Sequence, residues 1–348
     1  MFKSFLRAMS VSMLIVGTMI GAGFASGREV VSFFGATPNI YTALIAGVLV
    51  FGCSALFLFV GRRVKKSDIG EVNGEVFGKL RPFADIFMLF NSMIVLSAML
   101  AGTDSLASEF IDIRPLGSIV LGICCAVIAV KGLSGVIKAN AVLVPLMIVF
   151  LFACSITAID FPFSPQASAI RPYSIILYVS MNMILGGGVL TTVNRLSPRE
   201  ILLASGVAAV IIAGLLTFIM GALQSSAAAY ADMPMLLIAL KSGKVMYFVC
   251  IPIIAASIFT TMLTAFKSVY DYVYGFIGKK IISAAAVLAV GLSVGALGFS
   301  NVVGTLYPII GGVGLLYLAC NVWFLIRTRV KNKVKKKALK IKKIKSAR

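Results

Sequence analysis

The sequence predicts an all-α polytopic membrane protein with ten transmembrane helices in a five-plus-five inverted repeat, helices one and six being broken. Three observations carry this expectation. The chain has 348 residues, of which 60% are hydrophobic and only 13% charged, about half the charge density of a soluble domain. Its mean hydropathy is +1.03, and the apolar residues fall into runs that reach, or nearly reach, the length needed to cross about 30 Å at 1.5 Å per residue. Two of those runs, at corresponding places in the two halves of the chain, contain clusters of glycine.

The runs lie near 8–33, 40–60, 83–107, 115–131, 137–159, 172–194, 201–222, 247–272, 281–298 and 303–326. Lys3 and Arg7 precede the first, as in a signal peptide. No small-residue cleavage site follows a short apolar core, and the run continues past Phe33, so it reads as a retained span. The 61–82 connection, with Asp68, Glu71 and Glu75 among its bases, has room for a short surface helix. The first, third and eighth runs are long, which implies tilt or a helix broken within the membrane. The run at 115–131 is short and contains glycine. Between the seventh and eighth runs, residues 230–240 are moderately apolar around Pro234 and suit a short helix over the outer mouth.

Ten crossings put both termini on one face, and the basic residues select the cytoplasm. Arg62, Arg63, Lys65, Lys66, Lys79, Arg81, Lys131, Lys138, Arg195, Arg199, Lys279 and Lys280 then all lie inside, whereas the outer connections hold Arg114, Arg171, Lys241 and Lys244. The formal net charge is +20; residues 327–348 contribute 12 basic side chains and no acid, leaving +8 for the rest. That tail is expected to be a disordered basic cytoplasmic segment that fixes topology. Affinity for anionic lipid is its second reading. Nucleic-acid binding is not expected, because no aromatics are interleaved with the bases. The chain divides into 1–165 as the first half, 166–326 as the second half and 327–348 as the tail. Five crossings per half invert the second relative to the first.

Histidine is absent and no CxxC pair occurs among the six cysteines. This removes imidazole catalysis and thiolate metal sites from consideration, and with no clustered carboxylates the chain does not read as an enzyme or as a carrier of a cofactor.

The candidate site starts from the glycines. The first span reads Gly17-Thr18-Met19-Ile20-Gly21-Ala22-Gly23-Phe24-Ala25-Ser26-Gly27-Arg28-Glu29; the sixth carries Asn182 and then Gly186, Gly187 and Gly188. Glycines this dense weaken a helix, and an interrupted membrane helix offers free amides to a carboxylate and free carbonyls to a cation. The other reading of both clusters is close helix packing. In the eighth span Ser257, Thr260 and Thr261 share a face. They either bond back to the preceding turn or complete an oxygen-lined cation site begun by carbonyls of a broken first helix. Arg28 and Glu29 either gate the outer vestibule or pair locally. Lys267 and Asp271, four apart, suit a same-face ion pair. Asp104 sits where it can reach outer water, and Asn91, Asn182 and Tyr178 are neutral polar candidates for the centre.

With these residues in view, the stretch GTMIGAGFASGREVVSFFG at 17–35 resembles the opening of the YkvI-type bacterial membrane proteins. More distantly, the chain resembles the amino acid–polyamine–organocation transporter superfamily with its LeuT-like fold. That resemblance implies solute between the unwound parts of spans one and six, with a solute carboxylate on the amides of Gly21, Ala22 and Gly23 and the sixth-span match at Gly186, Gly187 and Gly188. In sodium-coupled members it also implies Na+ between the carbonyls of Gly17, Ile20 and Ser257 and the hydroxyls of Thr260 and Thr261. The polar asparagine that supports ligand binding in some sodium symporters has no equivalent in TMIGAG. The expected function is a secondary transporter moving a small organic solute, with an amino acid as one class, by alternating access and with sodium as a possible coupling ion. The alternatives are a proton-coupled transporter or exchanger, and a receptor or sensor subunit that binds without transporting.

Overall fold

A computed structural model describes residues 2–39, 41–111, 114–131, 134–159, 169–226 and 228–346. Among the described residues all regular secondary structure is helical. The first span comes in three pieces: α1 (Phe2–Met19), α2 (Ala22–Ala25) and α3 (Arg28–Phe34). There follow α4 (Tyr41–Val64), α5 (Ile69–Phe77), α6 (Arg81–Ala107), α7 (Leu116–Lys131) and α8 (Ser134–Ala158). The second part runs through α9 (Pro172–Thr192), α10 (Pro198–Ser226), α11 (Pro234–Ser242), α12 (Lys244–Ile277), α13 (Lys280–Gly295), α14 (Phe299–Asn301) and α15 (Tyr307–Ser346). A π-helical turn at Val302–Leu306 joins the last two.

Among the described residues, five stretches are long and apolar enough to cross a membrane: Tyr41–Val64, Ile69–Ala107, Pro198–Ser226, Lys244–Ile277 and Phe299–Val330. The bent helix α9 makes a sixth. Leu116–Lys131, Val142–Ala158 and Lys280–Gly295 are apolar but shorter. The protein is therefore a multi-pass, all-α membrane protein. The boundary drawn at 165 lies outside the described residues. At 27 and 34 residues, α6 and α12 extend about 40 and 50 Å, longer than the hydrocarbon layer is thick.

Two expectations take a different form here. The sixth span is interrupted by a bend and not by an unwound stretch: α9 is helical from Pro172 to Thr192, and its axis turns by 52° between Ile184 and Gly186. Its glycines serve close packing. A side chain at Gly186 would strike Thr18 of α1, one at Gly187 would lie 2.7 Å from Cζ of Phe57, and one at Gly188 would lie 3.0 Å from Cε of Met88. Freed amides on such a face would meet mostly apolar side chains packed against it, so the helical hydrogen bonds are retained. The basic tail is also helical, because α15 runs on to Ser346. Lysine, alanine and leucine are good helix formers, and the span supplies the nucleus.

Two nine-residue helices lie at opposite ends of α10. The first, α5, follows the second span. Asp68 caps it by accepting the Glu71 amide at 3.0 Å, and Ile69 packs against Gly188 of α9. Its Asn73 donates to Asp85 Oδ1 at 2.9 Å and accepts from the Tyr317 hydroxyl at 3.1 Å. Arg81 pairs with Asp85 at 3.1 Å, and the Tyr317 ring lies among Phe57, Phe77 and Phe87. At the same end Arg7 approaches Glu200 to 3.6 Å, while Ser197 and Glu200 cap α10 reciprocally. The second short helix, α11, precedes the eighth span. It packs on α12, α8 and α10, and Lys241 on it donates to the carbonyl of Ser226. Both short helices were legible as connections with helical character.

Replacing Gly187 by valine forces the buried Phe57 ring to move, an overpacking cost of about 1–3 kcal/mol. The expected result is a lower apparent melting temperature in detergent; unchanged melting would contradict the close α4–α9 contact.

Candidate functional site

The site is organised by a lapse in the first span. Ile20 N–H still donates to Val16 O at 2.8 Å, and Ala25 N–H resumes the pattern on Gly21 O at 2.9 Å. Between them the amides of Gly21, Ala22, Gly23 and Phe24 make no main-chain hydrogen bond to the preceding turn. Gly21 itself is extended, with φ −94° and ψ −173°. Each unpaired amide in an apolar surround costs about 1–3 kcal/mol, so the break persists only where the surrounding protein is built around it. Ile20, Ala22, Phe24 and Ala25 are all buried.

The glycines do different work. A side chain at Gly21 would face Thr261 Oγ1 of α12 at 3.8 Å, so the break looks onto the eighth span. A side chain at Gly17 would meet Val144 of α8 at 3.2 Å. Gly27 has φ +78°, a left-handed conformation that glycine tolerates best. It starts α3 directly beneath α11, 3.0 Å from Met235 Cγ by the same construction.

The eighth-span hydroxyls largely bond back along their own helix. Thr260 Oγ1 donates to Ser257 O at 3.3 Å, and Thr264 Oγ1 to Thr261 O at 2.9 Å. Of the three predicted ligands on α12, Thr261 is the one brought against the break. The Ser257 carbonyl is already engaged by Thr260.

Arg28 and Glu29 separate. The Arg28 guanidinium reaches across to the α11 end, where Nη1 donates at 3.3 Å to both Ala229 O and Ala231 O and faces Asp232 electrostatically. Asp232 in turn accepts from Ser105 of α6 at 3.1 Å and from Ser300 of α14. The Met235 amide donates to Ser26 O at 2.8 Å, so α11 is tied by main chain to the broken span itself. Glu29 turns inward and is buried, 4% exposed. Its carboxyl folds back over Gly23, with Cδ 2.7 Å from where a side chain there would begin. Asn182 of α9 is its hydrogen-bonding neighbour.

Tyr178 and Asn91, like Asn182, are buried. The Tyr178 ring packs edge-on to Phe33 and Phe34 at centroid distances of 5.5 and 5.0 Å. Asp104 is half-buried, and its Oδ1 accepts the Ser118 amide at 2.8 Å and so caps the start of α7. Lys267 and Asp271 form the expected i,i+4 pair. What the sequence did not reveal is the cluster of Asp232, Ser105 and Ser300 around Arg28, because those residues lie on three separate segments. The pairing of Asn73 with Tyr317 is equally distant in sequence. Cavities of about 150 and 200 Å3 lie at the α6–α7–α13 contact and along α6 and α12, away from the break.

Loss of the Arg28 guanidinium in Arg28→Gln is expected to loosen the α11 end. Hydrogen exchange at the Met235 amide should then accelerate at least severalfold, while the α5 end is unaffected; equal protection in both proteins would show that Arg28 does not hold the strap.

No family model matches the chain. By sequence it is similar to the membrane protein YkvI of Bacillus subtilis, 25% identical over 330 residues that cover 89% of this chain and 94% of that protein. It is also similar to the protein YyaD of the same organism, 24% identical over 330 residues and covering 88% and 94%. By fold it is similar to MhsT, crystallised with L-phenylalanine, with TM-score 0.61, 15% identity and coverage of 88% of this chain and 87% of that one. A manganese transporter of Eremococcus coleocola, crystallised with a bis-isothiourea compound, gives TM-score 0.59 at 13% identity, covering 91% and 78%. The chain is thus distantly related to YkvI and, more remotely, shares the LeuT-type fold.

Proposed function

We propose that the protein is a secondary transporter of a small organic solute, working by alternating access. The observation that carries this reading is the lapse at Ile20–Gly21, set inside a fold shared with transporters and sealed at both ends by short helices. A structural protein has no need of a hydrogen-bond gap in the middle of a span.

In this reading residues 1–165 and 166–326 are inverted halves of five crossings each, with 327–348 as a basic cytoplasmic tail available to anionic lipid. The short helices support the inversion: α5 follows span two, α11 follows span seven, both have nine residues, and they occupy opposite ends of α10. The α5 end carries Arg62, Arg63, Lys65, Lys66, Lys79 and Arg81 and is taken as cytoplasmic.

Solute sits where the broken first span passes the bend of the sixth, near Gly21, Ala22, Gly23, Asn182 and Gly186–Gly188. Arg28, through Asp232 and the carbonyls of Ala229 and Ala231, closes the outer side. Arg7 with Glu200 and Asn73 with Tyr317 close the inner side. Opening one end while the other stays shut moves the solute without a continuous pore. An amino acid is the class suggested by the superfamily resemblance.

The freed carbonyls of Gly17 and Ile20, with the hydroxyl of Thr261, form the start of a sodium site between α1 and α12. Rotation of Thr260 away from Ser257 O completes it with two further oxygens. A cation held there links the broken span to the eighth and favours the arrangement open to the outside.

Purified protein reconstituted into liposomes is expected to take up solute when an inward sodium gradient is imposed. Uptake indifferent to sodium but driven by a pH gradient or by counter-solute removes the cation site and keeps transport; specific binding without flux removes transport. In Thr261→Ala the sodium stimulation is expected to fall about tenfold, a loss of about 1.4 kcal/mol, and an unaltered sodium response would count against the site.

A further inference from the structure

Away from the break, a cavity of about 150 Å3 lies where α6, α7 and α13 meet. Its walls are largely apolar: Leu100 and Ala101 come from α6, Ile119 from α7, and Leu292 and Ala296 from the end of α13. An apolar cavity of this size stays dry and accepts hydrocarbon. It reaches the surface of the protein, since Ala296 is exposed. Leu116 and Val120 of α7 and Leu297 beyond α13 are exposed around it. In a multi-pass membrane protein such side chains face lipid, so acyl chains are the hydrocarbon at hand.

Asp104, one turn beyond Leu100 on α6, also lines the cavity. It is half-buried. One of its oxygens accepts the Ser118 amide at 2.8 Å, and the other makes no hydrogen bond among the described residues. No lysine or arginine among the described residues forms an ion pair with it. Arg114, next to Pro115 of the cavity wall, is exposed and donates to the Ser108 hydroxyl at 2.7 Å. Ser108 stands one turn above Asp104, its amide resting on the Asp104 carbonyl at 2.9 Å. A negative and a positive group therefore flank the mouth of an apolar slot, offset along α6 and not paired with each other.

A phospholipid with an ethanolamine headgroup matches this arrangement group by group. Its ammonium has N–H donors for the free oxygen of Asp104, its phosphate suits the guanidinium of Arg114, and one chain fills the slot. A choline headgroup carries the same charge but has no N–H to donate. A glycerol headgroup supplies the phosphate alone and sets its charge against Asp104 without a cation between them. Water would satisfy both charges and leave the apolar walls bare.

We propose that the slot between α6, α7 and α13 binds one phosphatidylethanolamine-type lipid. The ammonium lies on Asp104, the phosphate on Arg114, and an acyl chain against Leu100, Ile119 and Leu292. Ser105, the neighbour of Asp104, donates to Asp232, which faces Arg28. The lipid therefore steadies the end of α6 that also carries the closure at α11, and it braces the 16-residue α7 against α13. This site is separate from the break and does not depend on the transport reading.

The test places purified full-length protein in nanodiscs with equal amounts of phosphatidylethanolamine, its N,N-dimethyl form, phosphatidylcholine and phosphatidylglycerol, all with the same acyl chains. Lipids that stay bound on release into detergent are counted by native mass spectrometry. The ethanolamine lipid is expected to be retained about fivefold over the choline and glycerol lipids, the scale of one hydrogen bond to a charged group, with the dimethyl form between. Asp104→Asn keeps an acceptor for the Ser118 amide while removing the charge, and it should abolish the preference. Ala296→Leu, which narrows the slot, should lower retention of the ethanolamine lipid. Equal retention of the four lipids, a preference for the glycerol lipid, the same preference in Asp104→Asn, or full retention in Ala296→Leu overturns the assignment. The headgroup series in wild type decides alone if the variants do not fold. Absence of solute flux in liposomes leaves this site standing, and loss of the headgroup preference leaves transport standing.

Discussion

A peptide group inside a bilayer must find its hydrogen bond within the protein, and the first span departs from that demand at Gly21 to Phe24. The rest of the centre is arranged around this gap. Thr261 looks onto Gly21 from α12, Thr18 meets Gly186 of α9, and Glu29 folds over Gly23. The strap of α11 is bonded to Ser26 by its main chain. Each contact brings a different element of the fold to the same few residues. A regular first helix would present side chains to those neighbours, not backbone, and the approach of Glu29 to Gly23 would be lost.

The two ends of the molecule are sealed by different chemistry. At the α11 end the closure is polar: a guanidinium on two carbonyls, with Asp232 held by two serines. At the α5 end an aromatic cluster around Tyr317 does most of the work, with Asn73 satisfying the phenol. Polar closures of the first kind are exposed to competition by water and ions, whereas apolar closures depend on surface removed from water. The ends therefore respond to different conditions even though the short helices that form them match in length.

The sequence made the environment and most of the helices readable, because hydropathy reports burial in lipid directly. It also located the break in span one, where three glycines and a short run of small residues coincide. It marked the place in span six but not the form of the interruption: Gly186, Gly187 and Gly188 weaken a helix in isolation, yet here they admit Thr18, Phe57 and Met88 so closely that the span bends by 52° and stays helical. The tail was read as disordered from its basic, low-complexity composition, whereas the helix propensity of lysine, alanine and leucine carries α15 on to Ser346. The threonines of α12 were read as a set, while the structure divides them, with Thr261 at the break and Thr260 turned back onto its own helix. Neither the reach of Arg28 to the carbonyls of Ala229 and Ala231 nor the inward turn of Glu29 was legible, since each depends on partners more than 150 residues away that only folding brings near.

Tyr317 anchors α5 through its hydroxyl on Asn73 and its ring contact with Phe77, and Phe57 of α4 and Phe87 of α6 complete the cluster. Withdrawing that helix wets the tyrosine and its neighbouring rings together, so the displaced state carries an immediate penalty proportional to the uncovered aromatic area. In the proposed transport cycle such a hatch would behave like a spring-loaded door: it would need a push to open and shut unaided, and the time spent open toward that side would be set by how quickly these rings find one another again.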